Sequence, residues 1–245
     1  MIIGCGDIHG EFNKFMRQIS EFDLRDCVIF QAGDFGMGFE CPAKDKAILK
    51  FVNKHLAHRN IHVYAIRGNH DNPAYFVPES EFNTSNITLV PDYTVINIDG
   101  RKVLCVGGAI SIDRKPNNDV RDFNGKPWPG RKLNTSYWAD EAFILDEEKL
   151  KTFTGIDIVV THSAPQYVQP WLKHSAEKFF IGDETLSDEL NAERGNLSKM
   201  YEILKINNTI KIWMFGHFHF SNHEVYENTS FYLLDCHEFK EINFN

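Results

Sequence analysis

The chain has 245 residues, 42% hydrophobic and 13% aromatic, and a formal net charge of -8. That is enough apolar material for a sizeable core, while the acidic balance argues against a general nucleic-acid coat, whose affinity comes from many Lys and Arg contacts to phosphate. No run approaches the roughly 18 apolar residues of a membrane span, and the opening MIIGCGDIHG lacks the basic-then-apolar order of a secretory signal, so no membrane association and a cytoplasmic location are expected. Five scattered cysteines, Cys5, Cys27, Cys41, Cys105 and Cys236, form no CxxC pair and fit free thiols in a reducing compartment. Cys5, Cys27 and Cys105 lie in apolar runs and read as core.

Along the chain, MIIGCG reads as a strand, and Phe12, Phe15, Met16, Ile19 and Phe22 recur at helical spacing. DCVIFQAGD is a second strand, a helix is expected from about Asp45 to Leu56, and HVYAIRGNHD is a third strand. This alternation points to α/β architecture. From about Asn86 the runs ITLV, YTVINIDG and RKVLCVGGAI read as antiparallel strands, with a hairpin at Asp99-Gly100. Residues 111–134, rich in Pro, Gly and Asn, read as a long loop or cap. A helix is expected at roughly 139–153, the strand IDIVVTHSAP follows, and a long helical region covers about 183–206. IKIWMFGHFHF, HEVYENTS and SFYLLDC close the chain as strands. There is no internal repeat or linker, so one domain spanning 1–245 with a cap insertion is expected.

Polar residues fall in a pattern along this frame. Five strands end in a small residue followed by Asp, Asn or His: GDIHG (Asp7, His9), GDFG (Asp34), GNHD (Asn69, His70, Asp71), THSAP (His162) and GHFHF (His217, His219). Ligand sites in open α/β sheets gather beyond the carboxyl ends of strands, so these segments are expected to share one crevice. In extended backbone, residues two apart face the same way, which would let Asp7 with His9, and His217 with His219, each aim two ligands at one point. Carboxylate, imidazole and amide donors without a thiolate suit manganese, iron, zinc or nickel, and seven donors exceed one tetrahedral site, so two ions are implied. Two such ions about 3.5–4 Å apart can share and activate a water for displacement at phosphorus. His70, beside Asp71, could protonate a leaving alkoxide.

Together these segments resemble the calcineurin-like metallophosphoesterase superfamily, whose blocks D-x-H, G-D, G-N-H-[DE], a lone His and G-H-x-H occur here in order between residues 7 and 219. The resemblance implies two mixed β-sheets packed as a sandwich and flanked by helices, with a dinuclear site at one edge. It implies Asp7, His9 and His219 on the first ion, Asn69, His162 and His217 on the second, and Asp34 bridging them. His70 would be the general acid, Asp71 would orient or tune it, and a hydroxide bridging the ions would be the nucleophile. The second block, GDFGMG, departs from the G-D-x-V-D-R-G of protein Ser/Thr phosphatases, and the G-H-x-H ending looks more like phosphodiesterases and nucleases.

The expected activity is therefore hydrolysis of a phosphomonoester or phosphodiester, with a small phosphate ester or nucleotide as substrate. The cofactor is two divalent ions, manganese or iron first, zinc or nickel as alternatives. Asn69 and Arg114 are the expected substrate contacts. Between Asp113 and Lys132, six basic residues (Arg114, Lys115, Arg121, Lys126, Arg131, Lys132) face three acidic ones (Asp113, Asp119, Asp122), and this loop could fold over the ions with Arg114 gripping a phosphate oxygen and Phe123 or Trp128 stacking on a base or sugar. The bland reading of that loop is a solvated one. One alternative function is a nuclease acting on DNA or RNA, which would want a broader basic surface. Another is a non-catalytic metal-binding scaffold of the same fold, which should have lost ligands. No protein partner is evident. His55, His58, His62, His174, His223 and His237 read as ordinary surface or core histidines.

Overall fold

A computed structural model describes residues 1–122, 124–168 and 177–243. Its first half runs β1 (Ile2–Cys5), α1 (Phe12–Glu21), β2 (Cys27–Gln31), α2 (Pro42–His58), β3 (Ile61–Ala65), β4 (Ile87–Leu89), β5 (Thr94–Ile98), β6 (Arg101–Val106), β7 (Asn117–Arg121) and β8 (Pro127–Trp128). The second half runs α3 (Glu147–Thr152), β9 (Ile156–Thr161), α4 (Glu177–Gly182), α5 (Leu186–Leu204), β10 (Ile212–Phe215), β11 (Asn222–Tyr226), β12 (Thr229–Leu233) and β13 (Phe239–Glu241). Two mixed sheets result, ordered β13-β1-β2-β3-β4 and β11-β12-β10-β9-β6-β5, with β7 and β8 forming a small separate ribbon.

Alternation along the central strands builds three apolar layers. In β2, Ile29 faces the α1 and α2 side with Phe15, Leu49, Val52 and Leu56. Its neighbour Phe30 joins Val103, Ile158, Val160 and Met214 between the sheets. Val159 and Trp213 turn outward again to meet Leu197, Tyr201 and Leu204 of α5 and Leu150 of α3. Strands covered on both faces read as unbroken apolar runs, which is why IVV in β9 and IWMF in β10 carry no polar alternation. The α/β sandwich flanked by helices is as expected.

Several boundaries differ from the sequence reading. β5 and β6 pair antiparallel through Asp99 and Gly100, both with positive φ as a tight hairpin requires, but β4 instead extends the first sheet parallel to β3. The helix expected over 139–153 starts only at Glu147. Upstream, the carbonyls of Asp140, Glu141 and Ala142 accept hydrogen bonds from the Arg67 guanidinium, so they are not available to a helical ladder. The stretch read as loop over 111–134 contains the β7–β8 ribbon. Among the described residues, no helix is long and apolar enough to cross a membrane.

Candidate metal centre

β1, β2 and β3 run parallel in one sheet, and β6, β9, β10 and β12 run parallel in the other. Their carboxyl ends deliver Asp7 and His9, Asp34, Asn69 and His70, His162, and His217 and His219 to one place. Strand alternation is not what gathers them. His9, Asp34, His217 and His219 have φ of 50, 56, 72 and 55°, left-handed backbone that non-glycine residues adopt only where surrounding contacts hold it. Each chain turns sharply after its strand. Asp7 and His9 then share a subsite, whereas His217 and His219 divide between two, contrary to the two-apart argument.

The first subsite is a triangle. His9 Nε2 lies 3.1 Å from His219 Nε2 and 3.7 Å from Asp7 Oδ2, and His219 Nε2 lies 3.2 Å from Asp7 Oδ2. Tetrahedral bonds of about 2.0–2.3 Å produce ligand–ligand edges of about 3.3–3.7 Å, so the triangle has the size of one face of such a site. In the second subsite Asn69 Oδ1 lies 3.0 Å from His162 Nε2 and 2.9 Å from His217 Nδ1. Asp34 stands between them, with Oδ2 3.7 Å from His9 Nδ1 and Oδ1 3.4 Å from His162 Nε2. Gly216 is needed for this closeness, since a Cβ there would sit 2.1 Å from Asp7 Oδ1.

Outer contacts orient these groups. His162 Nδ1 donates to the Ala32 carbonyl at 2.7 Å, which turns Nε2 toward Asn69 and Asp34 as the nitrogen that would bind a cation once deprotonated. Asn69 Nδ2 donates to Ser111 Oγ at 3.0 Å, and Ser111 Oγ donates to Glu141 at 2.7 Å, so the amide oxygen is the atom turned toward the imidazoles. Burial pushes the Glu141 carboxyl up to about 8 despite two bonds from Ser111. Neither Ser111 nor Glu141 was singled out from the sequence. Ser111 had a signal, being the first polar residue after the Gly107-Gly108 pair that follows β6.

Electrostatics in the site are strongly opposed. Burial works against ionised Asp34, but His162, His70 and His9 hold its carboxyl well below the usual carboxylate range. Burial would lower His162, yet Asp34 overrides it and His162 is pushed up to about 9. Hydrogen bonds to Asp7 and Cys236 push His219 up to about 10. Burial, then the neighbouring His162, holds His217 far below its ordinary value. The donor set fits two cations: two buried carboxylates, four imidazoles and an amide oxygen converge, and His70 Nδ1 is buried without a hydrogen-bond partner.

Other residues sit differently from expectation. Both oxygens of Asp71 accept backbone amides, from Phe35, Gly36, Met37 and Gly68 at 2.7–3.0 Å. The carboxylate thus binds the loop bearing Asp34 to the loop bearing Asn69 and His70, and its oxygens are taken up there rather than on the imidazole. Burial and the nearby Asp34 push it up to about 6 against those four donors. Arg114 is engaged with Asp183 and Glu189, at 2.8 and 2.6 Å, and so is turned from the ligands. Arg131 stands where Arg114 was expected, with Nη2 3.3 Å from His70 Nε2. Trp128 donates to the Asp113 carbonyl and is covered by the Arg131 guanidinium, while Phe123 lies outside the described residues. A cavity of about 330 Å³ opens over Asp34, Asn69, His70 and His217, and its apolar wall comes from Ile112, Phe179, Phe180, Leu190 and Phe218.

A thiol also belongs to this cluster. Ligand atoms of Asp7, His9, His219 and Cys236 all lie within 4.8 Å of one another, as do those of His9, Asp34 and His70, and of Asp7, Asp34 and His162. Burial would raise the Cys236 thiol, but hydrogen bonds with His219 and His9 outweigh it and hold it below its ordinary value. The donor set read from the sequence lacked this sulfur.

Among solved structures, the protein TT1561 of Thermus thermophilus is 13% identical with a TM-score of 0.49, over 96% of this chain and 88% of that one. A protein from Staphylococcus aureus described as a 5'-nucleotidase is 13% identical with a TM-score of 0.50, over 96% of this chain and 48% of that one. Likeness at this identity bears on the fold alone. Among curated proteins the chain has no match. Residues 1–221 match the sequence profile of the calcineurin-like phosphoesterases, and the chain belongs to that family.

Proposed function

We propose that this protein is a metal-dependent phosphoesterase that hydrolyses a small phosphomonoester or phosphodiester. The observation that carries the reading is the pair of three-donor subsites, Asp7–His9–His219 and Asn69–His162–His217, with one Asp34 oxygen beside each. Two divalent cations, of manganese, iron, zinc or nickel, would supply activated water and a clamp on phosphoryl oxygens. Asp34 holds the two subsites at a common distance, and Ser111 with Glu141 keeps the Asn69 oxygen facing inward. His70 lines the cavity between Asp34 and Arg131. Burial holds it neutral, with Arg131 opposing the pull of Asp34, and an arriving phosphate anion raises its proton affinity, so that it can pass a proton to the leaving oxygen. Arg131, rather than Arg114, is the cationic side chain beside that transfer.

The apolar wall supports an ester with an aromatic or nucleoside group, since polar floor and apolar side are the usual division of a small-molecule site. A nucleic-acid substrate is less well supported, because Arg114 and Lys115 are paired with Asp183 and Glu189, and Arg131 with Asp113. The test is a panel of p-nitrophenyl phosphate, bis-p-nitrophenyl phosphate, cyclic nucleotides and single-stranded DNA. Chelator-treated protein should be inactive on all, and at least one of added Mn²⁺, Fe²⁺, Zn²⁺ or Ni²⁺ should restore turnover on a small ester. Activity confined to DNA would overturn the substrate class, and none with any metal would overturn the reading. His70→Ala should lose about 10²–10⁴-fold on an alkyl phosphate and far less on the p-nitrophenyl ester, whose leaving group needs no proton. Full turnover of the variant on the alkyl ester would remove the assigned role.

A further inference from the structure

Cys236 follows β12, and β12 pairs parallel to β10 in the register Trp213↔Phe231 and Phe215↔Leu233. The two strands therefore end at the same edge, one delivering His217 and His219 and the other the turn 235–238. That turn is bonded to the loop after β1: Gly6 N donates to the Glu238 carbonyl at 3.1 Å, and His237 N donates to the Asp7 carbonyl at 2.9 Å. A Cβ on Gly6 would lie 2.1 Å from the Asp235 carbonyl oxygen, so the two segments meet at backbone contact. Glu238 closes the turn by accepting from Asp235 N and Ser221 Oγ, and His237 at φ 60° sends its own imidazole to Glu11. Cys236 is left beside Asp7, with its sulfur in the group of four ligand atoms within 4.8 Å that includes His9 and His219.

We propose that Cys236 is a thiolate ligand of the cation in the first subsite, completing Asp7, His9 and His219. The inference rests on the metal-dependent reading above and extends it to the identity of one donor and the kind of ion it selects. On binding, the S–H bond breaks, the sulfur electron pair forms the bond to the cation, and the proton leaves to solvent. A sulfur among two imidazole nitrogens and the oxygens of Asp7 and Asp34 would favour zinc, cobalt or ferrous iron over manganese or magnesium, because thiolate is a soft donor and Mn²⁺ stands lowest in affinity among these first-row ions. The second subsite, with nitrogen and oxygen donors only, keeps no such preference for sulfur-tolerant ions. Cys41, exposed and outside this cluster, serves as the control thiol.

The experiment loads chelator-treated protein with Co²⁺ under anaerobic conditions and records the near-ultraviolet spectrum. A thiolate-to-cobalt charge-transfer band is expected in the unaltered chain and in Cys41→Ser, and is lost in Cys236→Ser. Alkylation of Cys236 by iodoacetamide, followed by mass spectrometry, should slow by at least about tenfold once Zn²⁺ is bound, since a coordinated thiolate is no longer a free nucleophile. Co²⁺ bound at about two ions per chain with no charge-transfer band, or with a band that survives Cys236→Ser, overturns the thiolate ligand and leaves the dinuclear reading standing. A chain that binds no Co²⁺ overturns both. The unaltered protein's spectrum decides the matter even if the serine variant folds poorly.

Discussion

Burial alone would strip the proton from His162, yet Asp34 at 3.4 Å reverses the sign and pushes it up to about 9, while Asp7 and Cys236 take His219 to about 10. Both imidazoles are therefore protonated at neutral pH when no cation competes, and uptake of cations, which need neutral imidazole, must release those protons. Calorimetric titration of chelator-treated protein with Zn²⁺ at pH 7.5, in buffers of different ionisation enthalpy, should report at least about two protons released per chain, two from these imidazoles and a further one where the Cys236 thiol also ionises. Release near zero would show that the imidazoles are already neutral. The same shifts set a stability slope for the chelated protein: both folded values lie above the ordinary 6.5, so their contribution is complete below pH 6.5 and is lost as pH rises through about 9 to 10. A thermal midpoint that does not fall across that window would contradict the assigned charges. At this level the candidate ligands were readable because each lies in a short segment just past a strand that also carries a glycine or another small residue. Cys236 and Arg131 were not, since nothing local distinguishes them from any other thiol or loop arginine.

Asp71 acts between elements, as a tie from one loop to another. Four backbone amides converge on its two oxygens, and none of them can be satisfied by water in that buried position. Asp71→Asn would turn an NH₂ toward two N–H donors, and Asp71→Ala would leave all four unmatched, so each variant should lose about 3–5 kcal/mol, a Tm fall on the order of 10 °C. If Asp71 instead only tuned His70, Asp71→Asn would keep its Tm and move only the pH profile. Sequence spacing located α1, α2 and α5 well because each buries a regular stripe. It failed over 139–146 because Arg67, more than seventy positions earlier, claims the carbonyls that a helix would use. It also treated His217 and His219 as strand residues, although their left-handed backbone sends the two side chains to different subsites.

The candidate centre draws Asp7, His9, Asp34 and Asn69 from one sheet and His162, His217 and His219 from the other, so bound cations would tie the two halves of the sandwich together. A ligand that binds only the folded chain stabilises it by about 2.7 kcal/mol when present at a hundred times its Kd. For a chain of this length that corresponds to about 5–10 °C per ion, and chelation should lower the Tm of the loaded protein by at least that much. An unchanged Tm after exhaustive chelation would show that the halves are not bridged. The linear order of residues was enough to establish the α/β class, the five polar strand ends and the chemistry of their side chains, because hydrophobic periodicity and donor type are properties of neighbours in the chain. Which donors share a subsite, which arginine faces His70 and the arrival of a sulfur beside Asp7 depend on strand order and direction. Those follow from how two sheets pack, where residues more than two hundred positions apart come within a bond length or two of a common centre.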